Sequence, residues 1–205
     1  MKKSKGSLFI VSAPSGAGKT TICKKIIKTM DNVKTSVSYT TRKPRHGEVE
    51  GEDYSFISEK KFRGMIQKGE FVEWAEVHGN LYGTSRKRLE KIINDGFDVI
   101  LDIDTQGAQQ IKKTYANGVF IFILPPSMTE LRDRLEKRMS NTREDMERRM
   151  KRAGEEIRAY KIYDYVIINN LLKSSLSTFE SILVAERQRS SKKDSAWIEK
   201  NIIRR

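Results

Sequence analysis

The chain has 205 residues, a formal net charge of +13 and a pI of about 9.8, with 37% hydrophobic and 33% charged residues. That is the size of one domain, with enough apolar periodic sequence to exclude a disordered chain and no apolar stretch near the ~18 residues of a membrane span. Cys23 is the only cysteine, which excludes an internal disulfide and a multi-cysteine metal site and suits a reducing cytoplasm.

Strand and helix patterns alternate along the chain. The basic start followed by the apolar run 8–11 resembles a signal peptide only superficially, because that run is shorter than the ~7–15 apolar residues of a signal. Instead, SLFIVSA (7–13) reads as a buried strand entering a glycine-containing turn. GKTTICKKIIKTM (18–30) predicts a helix with Ile22, Ile26 and Ile27 on one face, and VKTSVSY (33–39) a second strand. Residues 40–56 read as loop and 58–68 as a short helix. FVEWAEVHGNLYGTS (71–85) predicts a hairpin around His78-Gly79-Asn80, and 85–96 a helix ended by Gly96. DVILDID (98–104) is a buried strand followed by a helix, and VFIFILP (119–125) another strand stopped by two prolines. Ser127 and Glu130 form a capping box for the next helix. A charged helical stretch covers about 142–161, YVIIN (165–169) is the last strand and 174–189 the last helix. Strands separated by helices predict an α/β fold with a parallel sheet of about five strands covered on both faces, into which the hairpin is inserted. The tail from about 190 is basic and polar, with Trp197, Ile202 and Ile203 as expected docking contacts.

The first strand–helix junction carries Ala13-Pro14-Ser15-Gly16-Ala17-Gly18-Lys19-Thr20-Thr21. This is the context of a phosphate-binding loop, whose pattern is G-x-x-x-x-G-K-[ST]. Gly16 and Gly18 let backbone amides surround phosphate oxygens, and the helix N-terminus adds its positive dipole end. Lys19 supplies a cation for the β- and γ-phosphates, and Thr20 a hydroxyl for Mg²⁺. Ala13 stands where the pattern has glycine. The loop by itself implies a nucleoside triphosphate and nothing narrower.

A second constellation follows. Arg42 and Arg45 flank the rigid Pro44, and arginine forks match phosphate oxygens. Tyr54 and Tyr82 are neutral hydroxyl donors for the same group. A carboxylate can accept both N1–H and N2–H₂ of guanine; Glu73 is the candidate, with Asp104 behind it, while Ser38 and Thr84 offer hydroxyls to O6. Each residue also has a plain alternative: solvated loop arginines, semi-buried aromatic rings, an outward strand glutamate. Asp102 ends a buried strand, where a carboxylate suits either a water-mediated contact to Mg²⁺ or a helix cap. Arg134 and Arg138 precede the polar break Ser140-Asn141, and Arg149 follows it. These arginines fit a flap between two helices or an amphipathic pair laced with ion pairs such as Glu144 with Arg148. His46 and His78 lie in turn-like segments and read as structural.

SAPSGAGKTT, SYTTRKPRHGEVEGEDYSF, GEFVEWAEVHGNLYGTS and LDIDTQG occur in that order, and together they closely resemble the guanylate kinase family over about residues 7–189. The resemblance implies Mg²⁺-dependent transfer of the γ-phosphoryl group of ATP to GMP, and to dGMP, in the cytoplasm by a monomer or homodimer. It implies a core of about 7–37, 86–126 and 160–189, a GMP-binding subdomain of about 38–85, a lid of about 127–158 and a tail of 190–205. Arg42, Arg45, Tyr54 and Tyr82 are implied to hold the GMP phosphate, and Ser38, Glu73, Thr84 and Asp104, with Asp102 nearby, to serve the guanine side. Residues 13–21 match the ATP-binding loop and Asn169 the adenine-side asparagine. Arg134, Arg138 and Arg149 match lid positions that act on the transferring group with Lys19 and Arg45. The family commonly carries Asn-Asp-Asp after the last strand, where this chain has Asn169-Asn170-Leu171.

The transfer needs no general base, because a phosphate monoester has its second pKa near ~6 and its oxygen is largely ionised at neutral pH. The positive charge fits two phosphorylated ligands, and no aromatic-interleaved basic motif points to a specific nucleic acid. The other readings are a catalytically inactive protein-binding module of the same fold and a kinase for a different monophosphate. Lys19, Thr20, Arg45 and Arg138 stand against the first, as does the expectation that no other module flanks the domain. Glu73 and Asp104 stand against adenine as the acceptor base.

Overall fold

The computed structural model describes residues 5–77, 79–137 and 143–204. In chain order the elements are β1 (Leu8–Ser12), α1 (Lys19–Thr29), β2 (Val33–Thr35), β3 (Tyr39–Thr40), β4 (Ser55–Phe56), α2 (Glu59–Gln67), β5 (Phe71–Val77) and β6 (Asn80–Ser85). They continue with α3 (Arg86–Asn94), β7 (Asp98–Asp102), α4 (Thr105–Thr114), β8 (Val119–Leu124), α5 (Met128–Glu136), α6 (Arg143–Ile157), β9 (Tyr165–Ile168), α7 (Leu172–Arg187) and α8 (Ser195–Ile198).

Five strands form one parallel sheet in the order β2-β7-β1-β8-β9. Its central strands are almost wholly buried, as a parallel sheet covered on both faces requires. Successive side chains of β1 serve opposite faces. Phe9 and Val11 join Ile22 and Ile26 of α1 and Phe179 and Leu183 of α7. Leu8 and Ile10 join Leu89 of α3, Ile111 of α4 and Phe120 and Phe122 of β8. Each such side chain contributes about 1.5–3 kcal/mol on burial.

A second, mixed sheet of four strands has the order β4-β3-β6-β5. Its own small core holds Phe62, Phe71 and Leu81, with the Phe62 and Phe71 rings stacked at 4.5 Å. Gly83 lies against both rings, where a Cβ would come to 3.0 Å from each. The expected strand over 33–39 is in fact two. Val33 pairs with Asp98 in the parallel sheet, whereas Tyr39 pairs with Gly83 and Ser55 in the mixed one. No glycine or proline marks the change of sheet, so the apolar–polar pattern runs through it. The expected loop over 40–56 contains β4, whose two residues are too few to show a period.

The chain continues past α7 as short helical turns at Ser190–Lys192, α8 and Glu199–Ile203. Trp197, Ile202 and Ile203 are 41%, 61% and 65% exposed, so they are not docked as the sequence suggested. No described helix is long and apolar enough to cross a membrane.

Candidate active site

β1 delivers the chain into the phosphate loop, and α1 begins at Lys19. Gly16 and Gly18 have φ of +91° and +97°, a region that side chains disfavour. Ala13 is not among the left-handed residues, so alanine meets no backbone strain there. Gly18 caps α1 with no side-chain hydrogen bond, which leaves the first amides of the helix for an anion.

The loop is braced from β9. Asn169 is buried; its Nδ2 donates to the Ala17 carbonyl at 2.7 Å and its Oδ1 accepts from the Ser175 hydroxyl at 3.0 Å. Arg134 donates to the Asn169 carbonyl at 3.1 Å and pairs with Glu130 at 2.9 Å. Lys19 pairs with Asp102 and donates to the Ile103 carbonyl at 2.8 Å, while the Thr20 hydroxyl donates to Asp102 at 3.1 Å.

Two cavities adjoin above the ends of β1 and β7. The first, of about 350 Å³, is faced by the phosphate loop from one side and by Arg149, Arg152 and Glu156 of α6 from the other. The second, of about 260 Å³, is faced by Ser38, Tyr54, Glu73 and Tyr82. Lys19, Val77, Asp102 and Asp104 line both. Ala17 is fully buried behind the loop, and Thr21 is exposed on α1.

In the second cavity, Glu73 stands opposite Thr84 in the β5–β6 ladder and accepts its hydroxyl at 2.6 Å. Burial raises the Glu73 carboxyl to about 7; Asp104 adds to the rise and Thr84 opposes it. Asp104 uses Oδ1 to cap α4 through the Gly107 amide at 2.8 Å. Its Oδ2 is buried without a partner among the described residues, an acceptor left over beside the cavity. Ser38 lies 3.5 Å from the Thr84 hydroxyl.

Tyr54 and Tyr82 meet edge to face at 5.8 Å, and burial pushes the Tyr54 hydroxyl up. Arg42 lies 5.4 Å over the Tyr54 ring and donates to the Tyr82 hydroxyl at 3.2 Å. Its fork is held by Glu48 through bonds of 3.0 and 2.7 Å. These bonds, with the Arg45 backbone amide at 2.7 Å, lower the Glu48 carboxyl to about 2. The Arg45 side chain is exposed. Arg138, His78 and the Ser140-Asn141 break lie outside the described residues.

The sequence model described as guanylate kinase matches residues 5–186. This chain belongs to the guanylate kinase family. It is 55% identical over 187 residues to the guanylate kinase of Geobacter metallireducens, covering 91% of this chain and 92% of the relative. It is 48% identical over 196 residues to that of Clostridioides difficile, with 96% of each chain covered. The crystal structure of guanylate kinase from Anaplasma phagocytophilum superposes with a TM-score of 0.80 at 36% identity, covering 98% of this chain and 97% of that one. The parallel sheet with an added mixed sheet is the guanylate kinase fold.

Within this candidate site, Arg152, Glu156 and Glu48 escaped the sequence reading. Arg152 is one helical turn from Arg149, so the period of α6 carried the signal. Glu48 lies in a charged loop with no period, and nothing in its neighbourhood singles it out.

Proposed function

We propose that this chain transfers the γ-phosphoryl group of ATP to a phosphate oxygen of GMP, giving ADP and GDP, and accepts dGMP as well. The observation that carries the reading is the pair of adjoining cavities, one faced by a phosphate loop and the other by the buried Glu73 carboxylate with Asp104 beside it, and Lys19 lining both.

The triphosphate fits the first cavity, its oxygens against the amides of residues 15–20 and its γ-phosphate reached by Lys19. Lys19 is held by Asp102 and the Ile103 carbonyl, so phosphate oxygens replace those partners. Arg149 and Arg152 approach the same space from α6. Arg134 and Arg138 complete the cationic set in this reading, Arg134 from the Asn169 carbonyl. In the second cavity, Glu73 and Asp104 accept from N1–H and N2–H₂ of guanine, and the hydroxyls of Ser38 and Thr84 serve O6, Thr84 turning its proton away from Glu73 to do so. Tyr54, Tyr82, Arg42 and Arg45 hold the phosphate. Arg42 is offered already oriented by Glu48.

The GMP oxygen attacks the γ-phosphorus, the bond to the β,γ-bridging oxygen breaks, and ADP leaves with the electron pair. Positioning and positive charge carry the catalysis, since the nucleophile is already ionised.

The Thr20 hydroxyl and the Asp102 carboxylate are hard oxygen donors 3.1 Å apart. No group of three or more His, Cys, Asp or Glu among the described residues could hold a metal by itself. That donor set fits Mg²⁺ held jointly with phosphate oxygens and water. Bound there, Mg²⁺ neutralises charge on the β- and γ-phosphates. The single buried cysteine suits a cytoplasmic enzyme.

A coupled ADP-release assay with ATP and each of GMP, AMP, CMP and UMP tests the reading. GMP is expected to be the strongly preferred acceptor, with activity abolished by EDTA; equal rates with AMP would remove the guanine assignment.

A further inference from the structure

β5 is the outer strand of the mixed sheet, so one of its edges faces no other strand among the described residues. An unpaired edge leaves amides and carbonyls without partners. At Trp74 a side chain closes that edge. The Trp74 amide donates to Gln110 Oε1 at 3.2 Å, and Gln110 Nε2 donates to the Trp74 carbonyl at 2.8 Å. One primary amide thus makes both bonds that a neighbouring strand would make. The bond falls one residue after Glu73, just past the irregularity between Phe71 and Glu73 where β5 bends.

Gln110 belongs to α4, a helix of the parallel sheet's layer, and Asp104, Gly107 and Gln110 lie three residues apart on one face. Asp104 caps the helix and keeps Oδ2 unpartnered. Gly107 has no left-handed φ, so its backbone does not call for glycine. What calls for it is space: a Cβ at Gly107 would stand 2.8 Å from Glu73 Oε2. Alanine is the better helix former, so glycine here costs helix stability and leaves room for the Glu73 carboxylate.

We infer that Gln110 and Gly107 are positioning residues for guanine selection, holding the Glu73 carboxylate of the mixed sheet at a fixed offset from the Asp104 carboxylate at the start of α4. The inference rests on the GMP reading above and deepens it. Glu73 belongs to β5 and Asp104 is the N-cap of α4, so their spacing depends on how β5 docks on α4. Gln110 fixes that docking along the strand edge, and Gly107 fixes how close the carboxylate stands to the helix. Selection for a base that offers adjacent N1–H and N2–H₂ donors requires that spacing.

The test uses the full chain and the variants Gln110→Ala and Gly107→Ala. Initial rates are measured with GMP and with IMP, whose base lacks the 2-amino group, along with the KM for ATP and the Tm. For Gln110→Ala, removing two neutral hydrogen bonds is expected to raise the KM for GMP about tenfold. Gly107→Ala is expected to raise it similarly while its Tm stays level or increases. In both, kcat at saturating GMP and the KM for ATP stay within about twofold, and the GMP-to-IMP preference shrinks. In Gln110→Ala the pH at which GMP binding strengthens also moves down, because the Glu73 carboxyl gains water.

A Gly107→Ala enzyme that handles GMP as the parent does, or variants that lose kcat, ATP affinity and Tm together, would overturn the inference. A parent enzyme with no preference for GMP would sink the GMP reading and this inference with it. A GMP-selective parent with unaltered variants would sink the inference alone.

Discussion

Asn169 ties the end of β9 to the phosphate loop through its side-chain amide, donating to the Ala17 carbonyl at 2.7 Å and accepting from Ser175 at 3.0 Å. Both polar atoms of that side chain are engaged by protein. Asn169→Ala is therefore expected to destabilise the fold by about 1–3 kcal/mol, the cost of leaving buried partners unsatisfied. It should raise the KM for ATP and for another nucleoside triphosphate alike, since the brace acts on the loop and not on the base. Thermal denaturation and initial rates with two triphosphates check this; a loss confined to ATP would mean the side chain turns to adenine instead.

The Glu73 carboxyl, raised by burial to about 7 from an ordinary 4.5, gives stability a sign that differs from that of most carboxylates. The fold favours its protonated form. The stability is fully present below pH 4.5 and is lost as pH rises towards 7, by about 3 kcal/mol at ~1.4 kcal/mol per unit. In the proposed site guanine needs the ionised form, so GMP binding is expected to strengthen as pH rises through 7 and to release a proton below it. Calorimetry in buffers of different ionisation enthalpy reads that proton directly. Glu73→Gln should remove both the stability slope and the proton release, leaving only the contribution of the GMP phosphate.

Lys19 lies between the two cavities, and its substitution should separate binding from transfer. Lys19→Met is expected to lower kcat by at least about 10²–10³-fold, the scale for removing one charge-stabilising donor. GMP binding by equilibrium titration should persist. Unchanged turnover would take the phosphate loop out of the mechanism.

Arg42→Lys keeps the charge but loses the fork that Glu48 and Tyr82 orient. The KM for GMP should rise about tenfold or more, with the KM for ATP unchanged. Steady-state kinetics with each substrate varied in turn gives the comparison.

Far from the cavities, Asp98 is buried with one oxygen on the Ser7 amide and the other on Arg187, each at 2.6 Å. Arg187→Ala strands that charge and should cost about 2–3 kcal/mol, somewhat less than a fully buried pair because the arginine is partly exposed. Its kcat/KM should match the parent at temperatures where both are folded. Urea unfolding and initial rates measure the two effects.

The parallel sheet was legible because β1, β7 and β8 are apolar runs bounded by turns, and the loop before Lys19 sits where a strand meets a helix. The mixed sheet was legible only at its hairpin; β3 and β4 are two residues each and leave no period. Glu73 and Asp104 stood out through motif order, and neither would have been chosen singly. Glu48 and Gln110 were invisible for a common reason. Their partners, Arg42 and the Trp74 backbone, are contacts created by folding, and neither residue type is unusual in its own segment. The unpartnered Asp104 Oδ2 belongs to the same class, since only burial distinguishes it from an ordinary helix cap.

Lys19, Val77, Asp102 and Asp104 form a wall common to both cavities. A ligand in either cavity therefore finishes the boundary of the other, and the two occupancies become thermodynamically linked. Whatever factor by which ATP tightens the hold on GMP, GMP must tighten the hold on ATP by the same factor. Neither substrate has a privileged claim to arrive first; any preferred order is a matter of rates, imposed by how each ligand reaches the shared wall.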